Sequence, residues 1–428
     1  MTDDVLFVGH SLVGHTMPRM LDALLPSSML VRAQVINGAP LSYNWSNGAG
    51  AEGVNARAVL PSGAFGTLVL TEAIPLATHL QWSDTYGTAR AYAGLAWAAN
   101  PSARVMIYET WHEIGSSVAE WRASLTSDLA LWRGIANQVN AARPAEAPQV
   151  GIVPGGQAMG LLHDAIVSGR GQGLTQITQL FTDQIHLNDA GNYLISLVQF
   201  AAISGRSPIG LTDRLTGEWG QAYGGWTTDQ TILFQHIAWE AAARAAGARL
   251  QPGSVMPLLV QGTTASENLN GGSGHDRVYG NRGNDTINGH AGHDLLSGER
   301  GHDSLNGGSG NDLLMGGNDR DLLIGGTGND RLHGEAGNDT LTGGTGADDF
   351  VFARRGGADR ITDFTRAQGD QIFLDDALWT GTRSAAQVVT SFATVTPEGV
   401  LFNFGTNGTL LLQGVSSTSG LAALIEIY

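Results

Sequence analysis

The most constraining feature of this sequence is a nine-residue unit that repeats nine times without interruption from residue 271. Each unit begins with glycine, has aspartate at its sixth position and has a large apolar residue at its eighth. The aspartates are Asp276, Asp285, Asp294, Asp303, Asp312, Asp321, Asp330, Asp339 and Asp348. The apolar residues are Val278, Ile287, Leu296, Leu305, Leu314, Leu323, Leu332, Leu341 and Phe350. A period kept over nine units favours stacked structural repeats over a disordered linker rich in glycine and aspartate.

The chemistry of one unit predicts its local structure. Six residues rich in glycine, asparagine and aspartate form a turn, because glycine adopts positive φ without steric cost. The next three residues form a short strand whose apolar side chain points inward. Two units then make one flattened coil of a parallel β-roll, and its stacked turns bring the aspartates together in rows. Because a row of carboxylates repels itself, the nine aspartates are candidate ligands of several Ca²⁺ ions. The sixth unit departs from the pattern, because it has Asp319 at its fourth position, where the other units have glycine.

Charge and composition exclude some classes of function. The net charge of −16 lies mostly in the repeat half, which argues against nucleic acid as a partner. Cysteine is absent, so neither disulfides nor thiolate metal sites are expected. No apolar run is long enough to predict a transmembrane segment. The first residues lack the basic start and cleavage site of a signal peptide, so export by another route is expected.

Residues 1–250 alternate between short apolar runs and helical patterns. The predicted strands are 4–9, 29–36, 67–71, 105–108 and 150–153, and the predicted helices include 89–99, 118–142, 190–203 and 239–250. This alternation predicts an α/β domain of three layers, with a parallel sheet covered by helices on both faces. Such sheets bind ligands at the carboxyl ends of their strands, and the first loop there begins Gly9-His10-Ser11.

Two short motifs in this half carry the chemistry of a hydrolase. Ser11 follows the first strand, and Asp183 and His186 precede a helix that Asn188 is predicted to cap. A serine hydroxyl needs an imidazole as base and a carboxylate to orient that imidazole. Together the motifs resemble the SGNH (GDSL-like) hydrolase superfamily. The resemblance implies that Ser11 is the nucleophile, His186 the base and Asp183 its partner, with the N–H groups of Ser11 and Gly38 forming the oxyanion hole.

The sequence departs from the family at two positions. His10 stands where the family has the aspartate of its G-D-S block. The G-x-N-D block is not found, and the chain after the corresponding strand places Thr71 or Glu72 at the position of its asparagine. An ionised glutamate cannot donate a hydrogen bond to an oxyanion. We expect four side chains to line the pocket: His10, Glu72, His79 and His112. Several aromatic residues follow strand ends and suit either pocket walls or the core: Tyr43, Trp45, Trp82, Tyr108 and Trp111.

Simpler interpretations remain open at this stage. Ser11 would also serve as an ordinary helix cap, and Asp183 with His186 would serve as a surface pair. The function that the motifs favour is a serine esterase that removes short acyl groups, acetyl above all, from a carbohydrate without a catalytic cofactor. The alternatives are a glycan-binding protein without catalysis and a lipid esterase or phospholipase. The sequence contains neither the H-E-x-x-H motif of zinc proteases nor the G-x-S-x-G elbow of α/β-hydrolases.

The nine repeats resemble the RTX (hemolysin-type) calcium-binding nonapeptides. The resemblance implies a secreted protein exported by type I secretion machinery and folded by calcium outside the cell. Residues 400–428 resemble the uncleaved C-terminal secretion signal of such proteins, and Asp363 and Asp370 are candidates for further calcium ligands. The predicted organisation is a catalytic domain (1–250), a linker (251–261), the calcium-binding β-roll (262–350) and a C-terminal β cap with the secretion signal (351–428).

Overall fold

A computed structural model of the protein describes residues 4–10, 16–115, 117–209, 211–212, 215, 222–246 and 258–428. The chain divides into two compact units, residues 1–252 and 253–428. The candidate nucleophile Ser11 lies outside the described residues. The helices of the described ranges are all too short or too polar to cross a membrane.

The first unit is built on a six-stranded sheet with the strand order β3-β2-β1-β4-β5-β6. Its strands are β1 (Asp4–Gly9), β2 (Val31–Val35), β3 (Glu52–Gly53), β4 (Phe65–Leu70), β5 (Arg104–Glu109) and β6 (Gly151–Pro154). All neighbouring pairs are parallel except β2 with β3, a two-residue edge strand that runs antiparallel. The predicted parallel α/β fold is confirmed, with β3 as an addition that the sequence pattern did not show.

Helices cover both faces of this sheet. They are α1 (Thr16–Leu24), α2 (Leu41–Asn47), α3 (Ala56–Val59), α4 (Leu76–Trp82), α5 (Thr85–Ala99), α6 (Val118–Ala141), α7 (Gly155–Val167), α8 (Asp189–Ser204) and α9 (Thr228–Ala246). On one face, Leu68 and Leu70 of β4 pack with Trp97 of α5 and Trp132 of α6. On the other face, the Tyr108 hydroxyl lies 3.5 Å from Met17 Sδ of α1. Burial on both faces explains why the strands are continuous apolar runs rather than alternating ones.

The second unit is a parallel β-roll of two sheets. Its strands are β7 (Leu259–Gln261), β8 (Asn268–Gly272), β9 (Arg277–Tyr279), β10 (Thr286–Ala291), β11 (Leu295–Arg300), β12 (Ser304–Ser309), β13 (Leu313–Asn318), β14 (Leu322–Thr327), β15 (Arg331–Ala336), β16 (Thr340–Thr345), β17 (Asp349–Phe352), β18 (Ala358–Ile361), β19 (Gln371–Leu374), β20 (Ala393–Thr396), β21 (Gly399–Asn403), β22 (Thr409–Gln413) and β23 (Ile425–Ile427), with one helix, α10 (Ala385–Phe392). One sheet has the order β23-β19-β17-β15-β13-β11-β9-β7, and the other runs from β20 to β8.

The strand register gives two repeats per coil, as the sequence predicts. Leu296 pairs with Leu314 in one sheet, and Leu305 pairs with Leu323 in the other. Each pair therefore joins residues two units apart. The nine apolar residues at the eighth position are all at most 2% exposed and form one continuous core. Burial of this aliphatic stack is the main apolar stabilisation of the roll.

The roll extends beyond the nine repeats at both ends. Strand β7 lies within residues 251–261, which the sequence pattern assigned to a linker. At the other end, β18 and β22 continue one sheet in parallel, and β19 and β23 continue the other. The segment 351–428 is therefore built partly as further coils of the roll.

Candidate active site and calcium-binding repeats

The loop between residues 182 and 187 holds a hydrogen-bonded aspartate–histidine pair. Asp183 Oδ2 lies 2.8 Å from Nδ1 of the His186 ring. The other carboxylate oxygen of Asp183 accepts the backbone N–H of Ile185 at 2.8 Å and that of His186 at 2.7 Å. These hydrogen bonds lower the pKa of Asp183 to about 2, and those from the two backbone N–H groups contribute most. Asp183 is therefore ionised at neutral pH, and it orients His186 with Nε2 directed away from the carboxylate.

The same loop is tied to the segment that follows β5. The Trp111 indole N–H donates to the Ile185 carbonyl at 2.9 Å, and the Ile114 N–H donates to the Gln184 carbonyl at 2.7 Å. Trp111 is fully buried. On the other side, the Asn188 side chain accepts the Gly191 N–H at 3.1 Å and caps α8, as predicted. The aspartate–histidine pair is thus held between two fixed elements at the carboxyl edge of the sheet.

The end of β1 faces this loop through its next residue, His10. The His10 ring is 2% exposed and forms a hydrogen bond with the backbone of Glu72. The pKa of His10 is lowered to about 4, chiefly by burial and to a smaller degree by the nearby rings of His79 and His186, although the hydrogen bond with Glu72 acts to raise it. His10 is therefore neutral at physiological pH. His10 immediately precedes Ser11 in the chain, and its electrostatic interaction with His186 indicates that the end of β1 lies near the candidate base.

Gly38, the second candidate oxyanion donor, lies in the turn that follows β2. Its φ is +66°, a conformation that favours glycine, and a side chain at this position would meet open space. The Ala39 N–H closes the turn on the Ile36 carbonyl at 3.1 Å, and the Ile36 N–H donates to the Gly9 carbonyl at 3.2 Å. The turn is therefore attached directly to the end of β1.

Two of the expected pocket residues have their side chains engaged within the protein. Glu72 is 0% exposed, and both of its carboxylate oxygens accept hydrogen bonds from protein groups. His112 is partly exposed, and its Nε2 pairs with Asp128 of α6. The backbone carbonyl of His112 also accepts the Trp121 indole N–H at 3.0 Å. His79, on α4, is half-buried and close enough to His10 to influence its pKa.

The aromatic candidates divide into core residues and exposed ones. Trp111 and Tyr108 are fully buried, and Trp45 packs edge-on against Tyr92 with ring centroids 4.8 Å apart. Trp82 of α4 is 77% exposed and Tyr43 of α2 is 52% exposed. Both exposed rings lie on helices that begin after strand ends at the carboxyl edge of the sheet.

The sequence interpretation missed a buried glutamate at the end of β5. Glu109 is 1% exposed, and its Oε1 accepts the Gln157 side-chain N–H at 2.7 Å. Its Oε2 has no hydrogen-bond partner among the described residues. Burial raises the pKa of Glu109 to about 7. Glu109 directly follows the apolar strand predicted at 105–108. Its position at the end of that strand was the signal in the sequence that could have identified it as a site residue.

In the second unit, the repeat aspartates form two rows along the edges of the roll. The backbone N–H of each repeat aspartate donates to Oδ1 of the aspartate one coil further along the chain. The Asp294 N–H, for example, donates to Asp312 Oδ1 at 2.8 Å. The Oδ2 atoms of all nine repeat aspartates are buried and have no hydrogen-bond partner in the described parts of the chain. Burial raises the pKa of Asp312 and Asp321 to about 8.

These buried Oδ2 atoms fit the requirements of a hard cation. A side chain added at Gly289 would meet both Asp294 Oδ2 and the carbonyl oxygen of Gly307 one coil further on. The glycine at the first position of a repeat thus leaves a space bordered by carboxylate and carbonyl oxygens. Ca²⁺ prefers oxygen ligands of these two kinds, and its charge would offset the burial of the carboxylates. The donor set of the turns therefore fits calcium.

Three aspartates that follow the nine repeats lie at the ends of the aspartate rows or next to them. Asp359 and Asp370 continue the rows, because their Oδ1 atoms accept the N–H groups of Asp339 at 2.9 Å and Asp348 at 3.2 Å. Asp363, the other expected ligand, instead accepts the N–H groups of Gly343 at 3.0 Å and Gly344 at 2.8 Å. Asp359 was missed, although Asp359-Arg360-Ile361 keeps the aspartate–apolar spacing of the repeat.

The sixth repeat differs from its neighbours in backbone conformation. Asp319 has φ +79°, whereas the corresponding glycines Gly301 and Gly310 have φ of +125° and +126°. A Cβ at either of those glycines would collide with a backbone carbonyl of the preceding coil. The sixth turn therefore accommodates a side chain by a change of backbone conformation, in the turn that would hold a cation.

The solved structures that resemble the chain include the following three. A DUF4886 family protein from Bacteroides uniformis is 14% identical, with a TM-score of 0.36, over 58% of this chain and 96% of that chain. A carbohydrate esterase family 3 protein from Talaromyces cellulolyticus is 14% identical, with a TM-score of 0.30, over 48% and 99% of the respective chains. An extracellular lipase from Serratia marcescens is 12% identical, with a TM-score of 0.21, over 87% and 72%.

The repeat region matches a known family model. The RTX calcium-binding nonapeptide repeat matches residues 261–296, 290–323 and 315–350. No curated protein sequence matches the chain. With the strand register and the aspartate rows described above, this match shows that residues 261–350 are RTX calcium-binding nonapeptide repeats.

Proposed function

We propose that the first unit is a serine esterase of the SGNH type that removes short acyl groups through an acyl-enzyme. The observation that carries this proposal is the aspartate–histidine pair at the carboxyl edge of the sheet, with Asp183 hydrogen-bonded to His186 Nδ1 at 2.8 Å. A carboxylate that also accepts two backbone N–H groups holds the imidazole in one orientation and one tautomer. That arrangement suits a general base.

In this mechanism Ser11 Oγ attacks the acyl carbonyl while His186 Nε2 accepts the hydroxyl proton. Asp183 stabilises the imidazolium that forms. The backbone N–H groups of Ser11 and Gly38 donate to the developing oxyanion. His186 then gives the proton to the departing alcohol, and the acyl group remains on Ser11. A water molecule, deprotonated by His186, releases the acid and restores the hydroxyl.

An active-site-directed fluorophosphonate probe tests this proposal. We expect the native protein to be labelled covalently at Ser11, because the probe reacts only with an activated serine. The label is located by peptide mass spectrometry. Ser27, which is exposed on the same unit, serves as the internal control and should remain unlabelled. Absence of label at Ser11 in folded protein that hydrolyses esters would remove Ser11 from the mechanism. Absence of both label and hydrolysis in folded protein would favour a glycan-binding role without catalysis.

The exposed aromatic residues support a carbohydrate as the part of the substrate that carries the acyl group. Tyr43 and Trp82 remain exposed while the other aromatic candidates are committed to the core. Tyrosine and tryptophan offer large, rigid contact surfaces at low cost in conformational entropy. Flat sugar rings suit such surfaces, so we place an acetylated saccharide across them.

Replacement of Trp82 by alanine is expected to raise KM for an acetylated oligosaccharide roughly tenfold, which corresponds to about 1.4 kcal/mol. The kcat for a small chromogenic acetyl ester should stay unchanged, because that substrate does not reach the exposed ring. Leu30→Ala, at an exposed apolar residue ahead of β2, is the matched control. Steady-state kinetics on acetyl esters and on long-chain esters distinguish the outcomes. A preference for long acyl chains would instead indicate a lipid esterase.

The repeats suggest where the protein works. Calcium modules of extracellular proteins bind with dissociation constants of roughly 10⁻⁴–10⁻³ M, far above cytosolic calcium concentrations. We infer that the roll stays unfolded inside the cell and folds after export through type I secretion machinery, once calcium fills its turns. Catalysis itself requires no metal in this proposal.

A further inference from the structure

Glu72 occupies a central position behind the candidate site. It directly follows β4 at the carboxyl edge of the sheet and is 0% exposed. Its Oε1 accepts the Leu41 N–H at 2.9 Å and the Ala73 N–H at 2.8 Å. Its Oε2 accepts the Thr85 hydroxyl at 2.5 Å. A carboxylate only accepts hydrogen bonds, and here its donors all come from the protein. Glu72 is therefore placed to hold protein segments rather than substrate.

The segments that it contacts are the end of the Gly38 turn and the end of β1, which precedes Ser11 in the chain. Leu41 begins α2, three residues after Gly38, so the bond to its N–H restrains the end of the Gly38 turn. The backbone of Glu72 is hydrogen-bonded to the ring of His10, the residue before Ser11. Glu72 is thus hydrogen-bonded to the end of the Gly38 turn through its side chain and to the end of β1 through its backbone.

This double attachment matters because an oxyanion hole acts through pre-organised geometry. Donors aimed at the developing charge stabilise it only if they need not reorganise during the reaction. A misplacement of about 1 Å caused by a change outside the reacting atoms can cost about 100-fold in rate. The Gly38 turn is a loop, so its position depends on such outside contacts. Glu72 and the Ile36-to-Gly9 hydrogen bond provide them.

We propose that Glu72 is a positioning residue that fixes the Gly38 turn relative to the end of β1, and so sets the spacing of the two oxyanion donors. This inference rests on the proposed esterase function. The residue that replaces a side-chain donor of the SGNH pattern would thus contribute by holding the backbone donors rigidly.

Glu72→Ala removes the carboxylate and tests the proposal. We expect kcat for the chromogenic acetyl ester, counted per probe-labelled Ser11, to fall about ten- to a hundredfold while KM changes less than about twofold. Counting per labelled site separates positioning from a loss of folded protein, which lowers the number of sites and not the rate of each. Affinity for an alkyl boronate, which mimics the tetrahedral intermediate, should fall by a similar factor.

Two further variants sharpen the result. Glu72→Gln should retain kcat within about threefold, because its amide oxygen can still accept both backbone N–H groups and its NH₂ can donate to the Thr85 hydroxyl. Glu72→Asp withdraws the carboxylate by one methylene group and should lose activity as Glu72→Ala does. It carries the test if the alanine variant does not fold. Wild-type kcat per labelled site in Glu72→Asp or in folded Glu72→Ala would overturn the positioning role. Failure of the wild type to label or hydrolyse would overturn the esterase function itself, and the two failures are therefore distinguishable.

Discussion

Replacement of His186 by alanine is expected to lower the turnover of a chromogenic acetyl ester by about 10⁴-fold or more. His186 is the group that accepts the serine proton in the proposed mechanism, and a serine hydroxyl is a weak nucleophile without such a base. Ser11→Ala should show a loss of the same size. The double variant should be no worse than either single variant, because the members of a triad act as a unit. Initial rates at saturating substrate provide the measurement.

Asp183→Asn tests the orienting carboxylate with little change in shape. Its amide oxygen can still accept the Ile185 and His186 N–H groups, but the amide NH₂ would face His186 Nδ1 and favour the wrong tautomer. A drop in kcat of about 10³–10⁴-fold is expected. The unit contains a matched control, the pair His163 and Asp164, whose ring nitrogen and carboxylate oxygen are 3.2 Å apart.

His163→Ala removes a histidine that also lies against an aspartate, but from helix α7 outside the site. This variant should leave kcat within about twofold of the wild-type value. A loss in this variant equal to that of His186→Ala would mean that the assay reports general disruption. Equal rates for wild type and His186→Ala would exclude His186 as the base.

Removal of calcium from the full chain is expected to unfold the β-roll. Without a cation, the nine repeat Oδ2 atoms are buried with no hydrogen-bond partner among the described residues. Burial has raised the pKa of aspartates such as Asp312 to about 8, which reflects the unfavourable environment for the charged form. At neutral pH the roll without calcium must therefore protonate these carboxyls, carry buried charge or unfold, and each of these costs free energy that calcium binding avoids.

Hydrogen–deuterium exchange measured by mass spectrometry can locate this change. In excess chelator, peptides from residues 268–345 should lose protection, while peptides from 56–200 should keep it. Protection should return as calcium rises through roughly 10⁻⁴–10⁻³ M. Unchanged protection of 268–345 in chelator would show that the aspartate rows need no cation.

A variant with one aspartate replaced tests how the folding of the β-roll depends on calcium concentration. Asp312→Asn removes one charged ligand from a fully buried row and should raise the calcium midpoint roughly three- to tenfold, because site affinity follows ligand charge. Asp376→Asn, at an exposed aspartate of the same unit, is the control and should leave the midpoint unchanged.

The β-roll was almost entirely predictable from the sequence because its structure is local. Each turn and strand uses nine consecutive residues, and every coil contacts only the coils next to it, so a periodic pattern specifies both conformation and partners. Prediction ended where the period ended. Strand β7 was not recognised because it precedes the first complete unit. The coils that contain Asp359 and Asp370 were not recognised, although Asp370 was a predicted calcium ligand, because spacings of 20 and 22 residues replace the spacing of 18.

The α/β fold of the first unit was predicted from its apolar strands, with boundaries accurate to a few residues. Some helices were missed or shortened. Helix α7 begins with two glycines, which weaken the helical signal, and α9 begins at Thr228, eleven residues before the predicted helix from Trp239. Both helices are stabilised by burial against other elements, which local preference does not reveal.

The sequence alone was enough to propose Ser11, Asp183 and His186 as the residues that carry the chemistry, since they stand in motifs that need no knowledge of the fold. Tertiary structure decided how the described members of the site are held. The Trp111 indole reaches a carbonyl 74 residues away, and Glu72 accepts a backbone N–H 31 residues earlier in the chain. Contacts of this kind depend on how the strands order themselves in the sheet. No local pattern encodes that order, because it follows from burying the whole set of apolar faces at once.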